Sequence, residues 1–133
     1  MNDHEKGFVD AFVHPRRQPR HRALLEKPKR RIKFTSLLAH FHDFDDRCIT
    51  GVPPTDQYSE PILQILRDKR APDTCWVISE DYRLDGKEMS LVDALDEIVG
   101  FGSGTVISCI PGQLAYYEGE DPGRRFILER RQQ

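Results

Sequence analysis

Each strand-like segment in the second half of this chain is apolar on both parities, and this constrains its fold more than any other feature. Cys75-Trp-Val-Ile-Ser79 and Thr105-Val-Ile-Ser-Cys-Ile110 place Trp76 beside Val77 and Val106 beside Ile107. Leu114-Ala-Tyr-Tyr-Glu118 and Arg125-Phe-Ile-Leu-Glu129 do the same with Leu114 and Ala115, Phe126 and Ile127. Successive residues of a strand face opposite sides, so a sheet with one wet face alternates and a sheet covered on both faces does not. The sheet built from these segments needs a layer on each side. A chain of 133 residues can form one such domain. At that size it removes roughly two-thirds of its unfolded surface from water without a disulfide or structural metal.

Three helices are expected around the strands. The spacing predicts one over 35–47, capped by Thr35 or Ser36, with Phe34, Leu37, Leu38, Phe41, Phe44 and Cys48 on one face. Gly51-Val-Pro-Pro-Thr55 then breaks the chain. Ser59 caps the next helix with Pro61 in its first turn, and Arg67, Lys69 and Arg70 complement the dipole at its end. The third runs over 90–99, opened by Ser90 and closed by Gly100, with Leu91, Ala94, Leu95, Ile98 and Val99 at i, i+3, i+4, i+7 and i+8.

From residue 74 the order reads strand, helix, strand, strand, strand. A right-handed crossover through 90–99 makes strands 75–79 and 105–110 parallel. Pro111-Gly112 and Asp121-Pro-Gly123 turn the remaining strands, 114–118 and 125–129, into an antiparallel meander. The expected fold is α+β, a mixed four-stranded sheet with about three helices. Two helices cover one face of four strands and one helix falls short on the other, where segment 8–13 is the only spare cover. That shortfall predicts a homodimer or a hetero-partner on the sheet, with Tyr116 or Tyr117 among its anchors.

Charge is unevenly spread. Residues 1–33 carry ten Lys/Arg against four Asp/Glu, although the whole chain has a formal net charge of −2. The sequence divides into a basic N-terminal arm, 1–33, and a single α+β domain, 34–133. Pro15, Pro19 and Pro28 discourage a continuous helix, so 14–33 reads as extended. Arg16, Arg17, Arg20, Arg22, Lys29, Arg30 and Arg31 are its candidate contacts to nucleic acid or to an acidic partner. No Phe, Tyr or Trp stands between 14 and 33 to stack on bases, so nucleic-acid binding would be non-specific.

The longest apolar runs are a few residues, against the roughly 20 that span a bilayer, and no membrane partner is expected. The N-terminus lacks the apolar stretch of a secretory signal. Cys48, Cys75 and Cys109 are odd in number and far apart, which suggests neither a disulfide framework nor a zinc pair. A cytoplasmic setting is the expectation.

Several motifs fail on context. Gly100-Phe-Gly-Ser-Gly104 follows a helix and opens a strand, the reverse of a phosphate-binding loop. It is not a nucleophile elbow either, since Phe101 and Thr105 stand where glycines belong. Asp81-x-x-x-Asp85-Gly86 has Arg83 at the third ligand position of a calcium loop. The dense cluster is His40-Phe-His42-Asp43-Phe-Asp45-Asp46. Imidazole and carboxylate suit a divalent metal, with His40, His42, Asp43 and Asp46 as candidate ligands, and the competing reading is a polar helix face.

No cofactor is expected unless that cluster holds a divalent metal. The expected function is a small interaction or regulatory module acting through protein–protein contacts, with no catalytic motif and the question of an enzyme left open. The alternatives are a metal-assisted hydrolase or nuclease built on His40–Asp46 and a non-specific nucleic-acid-binding accessory protein using the arm.

Overall fold

The structure is a computed structural model and describes residues 1–130. The described residues form five α-helices: α1 (Asp3–Phe12), α2 (Gln18–Glu26), α3 (Pro28–Thr35), α4 (Ser59–Asp68) and α5 (Leu91–Ile98). Six strands, β1 (Ile49–Gly51), β2 (Thr74–Ser79), β3 (Lys87–Ser90), β4 (Thr105–Ile110), β5 (Leu114–Glu118) and β6 (Arg125–Glu129), form one sheet. Its order is β1-β6-β5-β4-β2-β3 and every neighbouring pair is antiparallel. The class is α+β, but the expected mixed four-stranded sheet with about three helices is corrected to six antiparallel strands and five helices.

The two strands without a sequence signal are the edges. β1 is three residues long, and β3 reads Lys-Glu-Met-Ser, polar chemistry that blunts an exposed edge and carries no apolar pattern. β3 also explains why 75–79 and 105–110 are not parallel. The chain turns back from β2 into β3 before α5 begins, with Trp76 opposite Glu88. The crossover through α5 therefore joins β3 to β4, which run in one direction with β2 between them.

The expected extended arm is helical. Pro15 opens a 3-10 turn, Pro19 sits in the first turn of α2 and Pro28 starts α3. At these positions a missing N–H is harmless and a preset φ helps, so the prolines separate short helices rather than forbid them. The expected helix over 35–47 does not form. After α3 come a 3-10 turn at Leu38–His40, an irregular stretch and a second 3-10 turn at Asp46–Cys48. Phe34, Leu38, Phe41, Phe44 and Cys48 are buried all the same. Phe44 bridges Val13, and the N–H groups of His14 and Asp45 bond the carbonyls of Asp43 and Phe12, which tie the stretch to the end of α1.

The two parities of the strands feed two cores. Ile78, Val106, Tyr117 and Phe126 pack with Phe8, Phe12, Phe34 and Phe41 of the N-terminal layer. Val77, Ile107, Tyr116 and Ile127 pack with Ile62 and Leu66 of α4 and with Leu91 and Leu95 of α5. The chain thus covers both faces itself, and the shortfall that pointed to a partner on the sheet is absent. Tyr116 and Tyr117 are 0% exposed and belong to the core instead of a surface.

A half-buried ionic clamp fastens the N-terminal layer. Arg31 Nη1 donates to Glu5 Oε1 at 2.9 Å, and its Nε and Nη2 fork onto Asp85 at 2.7 and 3.0 Å. Glu5 Oε2 accepts from Trp76 Nε1 at 2.9 Å, and Asp85 also accepts the Ser79 N–H. One guanidinium therefore links α1, α3, β2 and the loop after it. The Asp85 hydrogen bonds, more than any other contact, push the Arg31 pKa above its already high ordinary value. Close backbone approach completes the fastening. A Cβ on Gly104 would stand 2.1 Å from Ala39 N, and one on Gly7 would stand 2.4 Å from Gly112 N.

Arg31 and Asp85 are partly exposed but Glu5 is buried, so removing Arg31 strands a buried carboxylate. Arg31→Met is expected to cost about 2–4 kcal/mol in urea denaturation. Arg22→Met breaks the more exposed Arg22–Asp10 pair and should cost about 1 kcal/mol or less. Gly104→Ala, which forces backbone against backbone, should cost about 2 kcal/mol or more.

Candidate functional site

At the end of the sheet where β4 finishes and β5 begins, the surface opens into a cleft of about 550 Å³. Four cationic side chains line it, Arg47, Lys69, Arg70 and Arg130, against the carboxylate of Glu129. Ile110, Leu114 and Thr50 supply the rest of the wall that matters chemically, and none of the lining residues is aromatic. The elements that deliver these groups are remote in sequence: the turn before β1, the end of α4, the β4–β5 turn and the end of β6. Thr50 lies in β1, the edge of the sheet.

Two of the four cations are already engaged. Lys69 Nζ lies 2.9 Å from Glu129 Oε1, and Arg47 Nη2 lies 2.8 Å from Asp45 Oδ2. The hydrogen bonds from Arg47 hold the Asp45 carboxyl below its ordinary range. Arg70 and Arg130 have no carboxylate partner among the described residues. A second hollow shares Arg47, Cys48 and Arg130 with the cleft and reaches Gln18 and Pro15, at the start of α2. Cys48 donates to the Ala11 carbonyl at 3.3 Å.

Arg70 is also the only non-glycine with positive φ among the described residues, at 72°. The Ala71 N–H bonds Leu66 O at 3.0 Å and the Arg70 N–H bonds Arg67 O at 2.9 Å, so α4 closes through a left-handed residue. Glycine is the usual choice there because an L side chain costs roughly 1–2 kcal/mol. An arginine is kept at a strained position from which it lines the cleft.

The candidate metal ligands are dispersed, because the helix needed to align them is absent. His40 is exposed and pairs with Glu120 at 2.8 Å, while His42 is exposed on the irregular stretch and Asp46 is exposed at the start of the second 3-10 turn. Asp43 lies 2.7 Å from Nε2 of His21 and 3.8 Å from Arg17. Among the described residues no group of three or more His, Cys, Asp or Glu side chains stands where it could hold a metal ion. The His21–Asp43 pair has the composition of an acid–base dyad, but His21 is 0% exposed and packs against Phe34 and Phe41. A general base must reach a substrate proton, and this ring is out of reach.

The basic residues divide in the same way. Arg31 is in the clamp, Arg22 bonds Asp10 at 2.6 Å, and Arg16, Arg20, Lys29 and Arg30 are exposed on the helical layer. Burial pushes the Cys75 thiol up to about 12 and raises that of Cys109 further, as befits small core residues.

The glycine run holds an anion after all, an internal one. The carboxylate of buried Glu118 accepts the N–H of Gly100 at 3.1 and 3.2 Å and that of Gly102 at 2.9 Å. It also accepts the Tyr116 hydroxyl at 2.8 Å, with Arg125 3.8 Å away. The cleft, unlike this nest, has no local motif. The one sequence trace of the cleft is an arginine where a helix-ending glycine is expected.

No protein-family model, curated protein or solved structure matches the chain.

If Arg70 is strained, glycine should relieve it. The relief of about 1–2 kcal/mol outweighs the roughly 0.5–1 kcal/mol that glycine adds in unfolded-state entropy. Arg70→Gly is therefore expected to raise stability by about 0.5 kcal/mol in urea denaturation.

Proposed function

We propose that this protein is a non-catalytic interaction module that holds an acidic or phosphorylated segment of a partner protein in the basic cleft. The observation that carries this is Arg70, a cation without a carboxylate among the described residues, on a left-handed backbone that its side chain makes costly. Guanidinium groups bind carboxylate and phosphate through paired N–H donors, and Arg70 and Arg130 both offer theirs to the cleft.

Three features favour a peptide over nucleic acid at this place. The cleft lacks an aromatic side chain on which a base would stack. Its apolar wall, Ile110 and Leu114, suits aliphatic side chains between the acidic ones. Thr50 of β1 also lines it, and an edge strand such as β1 is a template on which an extended peptide can pair. The volume of about 550 Å³ accepts a few residues and lies in the range of ordinary ligand sites.

The test is a fluorescence-anisotropy titration with an acidic peptide, its phosphoserine counterpart and a single-stranded oligonucleotide of equal charge. The peptides should bind more tightly than the oligonucleotide. Arg70→Gly and Arg130→Ala should each weaken them about tenfold, although Arg70→Gly makes the fold more stable. Tighter binding of the oligonucleotide, or peptide binding indifferent to Arg70 and Arg130, would overturn the reading.

A further inference from the structure

β4 starts at the pole remote from the basic cleft, and its six residues carry the sheet about 17 Å from one end to the other. At this second pole two grooves adjoin. One is lined by Ile32, Glu80, Asp81 and Ser103, the other by Asp81, Glu97, Phe101 and Ser103. The three most exposed large apolar side chains among the described residues fall at this pole: Ile32 at 74% and Phe101 at 73% line the grooves, and Tyr82 at 86% stands in the chain between two lining residues, Asp81 and Arg83. Single exposed apolar residues are common on any surface, but three grouped at one end mark an interaction site.

Phe101 is held out rather than left out. Gly100 and Gly102 turn their N–H groups inward onto the buried Glu118 carboxylate, and the residue between them faces solvent. An aromatic presented on an anchored loop loses little freedom on docking.

The charges around the patch decide what docks. On one side α3 carries Lys29 and Lys33, exposed one helical turn apart and flanking Ile32 on the solvent face. On the other side stand Glu80 and Glu97, exposed and in no ion pair among the described residues; the cation of that groove, Arg83, is held by Asp81 at 2.9 Å. A uniformly acidic or uniformly basic partner would match one side and be repelled by the other. A second copy turned by 180° matches both, because a two-fold interface brings residue i onto j and j onto i.

We propose that this pole is a homodimer interface, in which Ile32 of one protomer rests on Phe101 of the other. Lys29 and Lys33 then face Glu80 and Glu97 across the two-fold, and Tyr82 lies near the axis. The basic clefts remain open at the two far ends of such a dimer. This surface is separate from the sheet faces, which the chain covers itself.

The test is sedimentation equilibrium of the full chain up to about 100 μM, a range that captures micromolar association. A monomer–dimer equilibrium is expected. Phe101→Ser removes an exposed side chain without touching the core and should weaken it about tenfold or more. Lys33→Glu alone and Glu97→Lys alone should each self-associate more weakly than the natural chain, because each sets like charges across the two-fold. Mixed in equal amounts, the two variants should recover dimers, since both contacts of the mixed pair are then of opposite sign. A chain monomeric throughout that range overturns the proposal. So does a dimer indifferent to Phe101→Ser, or one that mixing fails to restore.

Discussion

The structure depends on four central strands that have no wet face. Val77 and Ile78, Val106 and Ile107, Tyr116 and Tyr117 send neighbouring side chains into separate cores, so each side needs its own helical layer. The α4 and α5 layer is amphipathic and docks by apolar burial. The other layer is drawn from the most basic part of the chain, where short helices expose many cations. Phenylalanines supply its inward face, with Phe8 stacked edge-on against Phe12, Phe34, Phe41 and Phe44. The Glu5–Arg31–Asp85 clamp sets its position on β2.

This division of labour explains the charge distribution. The N-terminal excess of Lys and Arg does not form a tail. It is the outer surface of a layer whose inner surface is core; Arg31 with Asp85 and Arg17 with Asp43 reach beyond that layer, while Arg31 with Glu5 and Arg22 with Asp10 join its own helices. The cations that remain exposed on the helices are separate from those of the cleft, which come from the turn before β1 and from the ends of α4 and β6.

The two poles also contrast. The cleft concentrates positive charge around a strained arginine, and strain retained at an open site is a cost that binding can justify. The opposite pole exposes Ile32 and Phe101 with lysines and glutamates around them, charges of both signs. β4 separates them, so occupation of one leaves the other accessible.

By itself the sequence determined what local chemistry determines. Apolar parity marked β2, β4, β5 and β6 and required cover on both sides; Ser90 capped α5, accepting the Asp93 N–H, and Gly100 ended it with φ 93°. Tertiary structure decided the rest. The edge strands β1 and β3 exist through pairing with β6 and β2, since three or four residues with a single apolar side chain each carry no strand pattern of their own. Without β3 in view, the crossover through α5 is assigned to the wrong strand. The apolar spacing of Phe34 to Cys48 imitates a helix because a looping segment pinned to α1 buries the same residues. The proline positions were legible, but whether each stopped a helix or began one depended on a sheet face to dock against. The cleft lay beyond reading because Arg47, Arg70 and Arg130 are neighbours only after four distant elements meet, and no local pattern records that encounter.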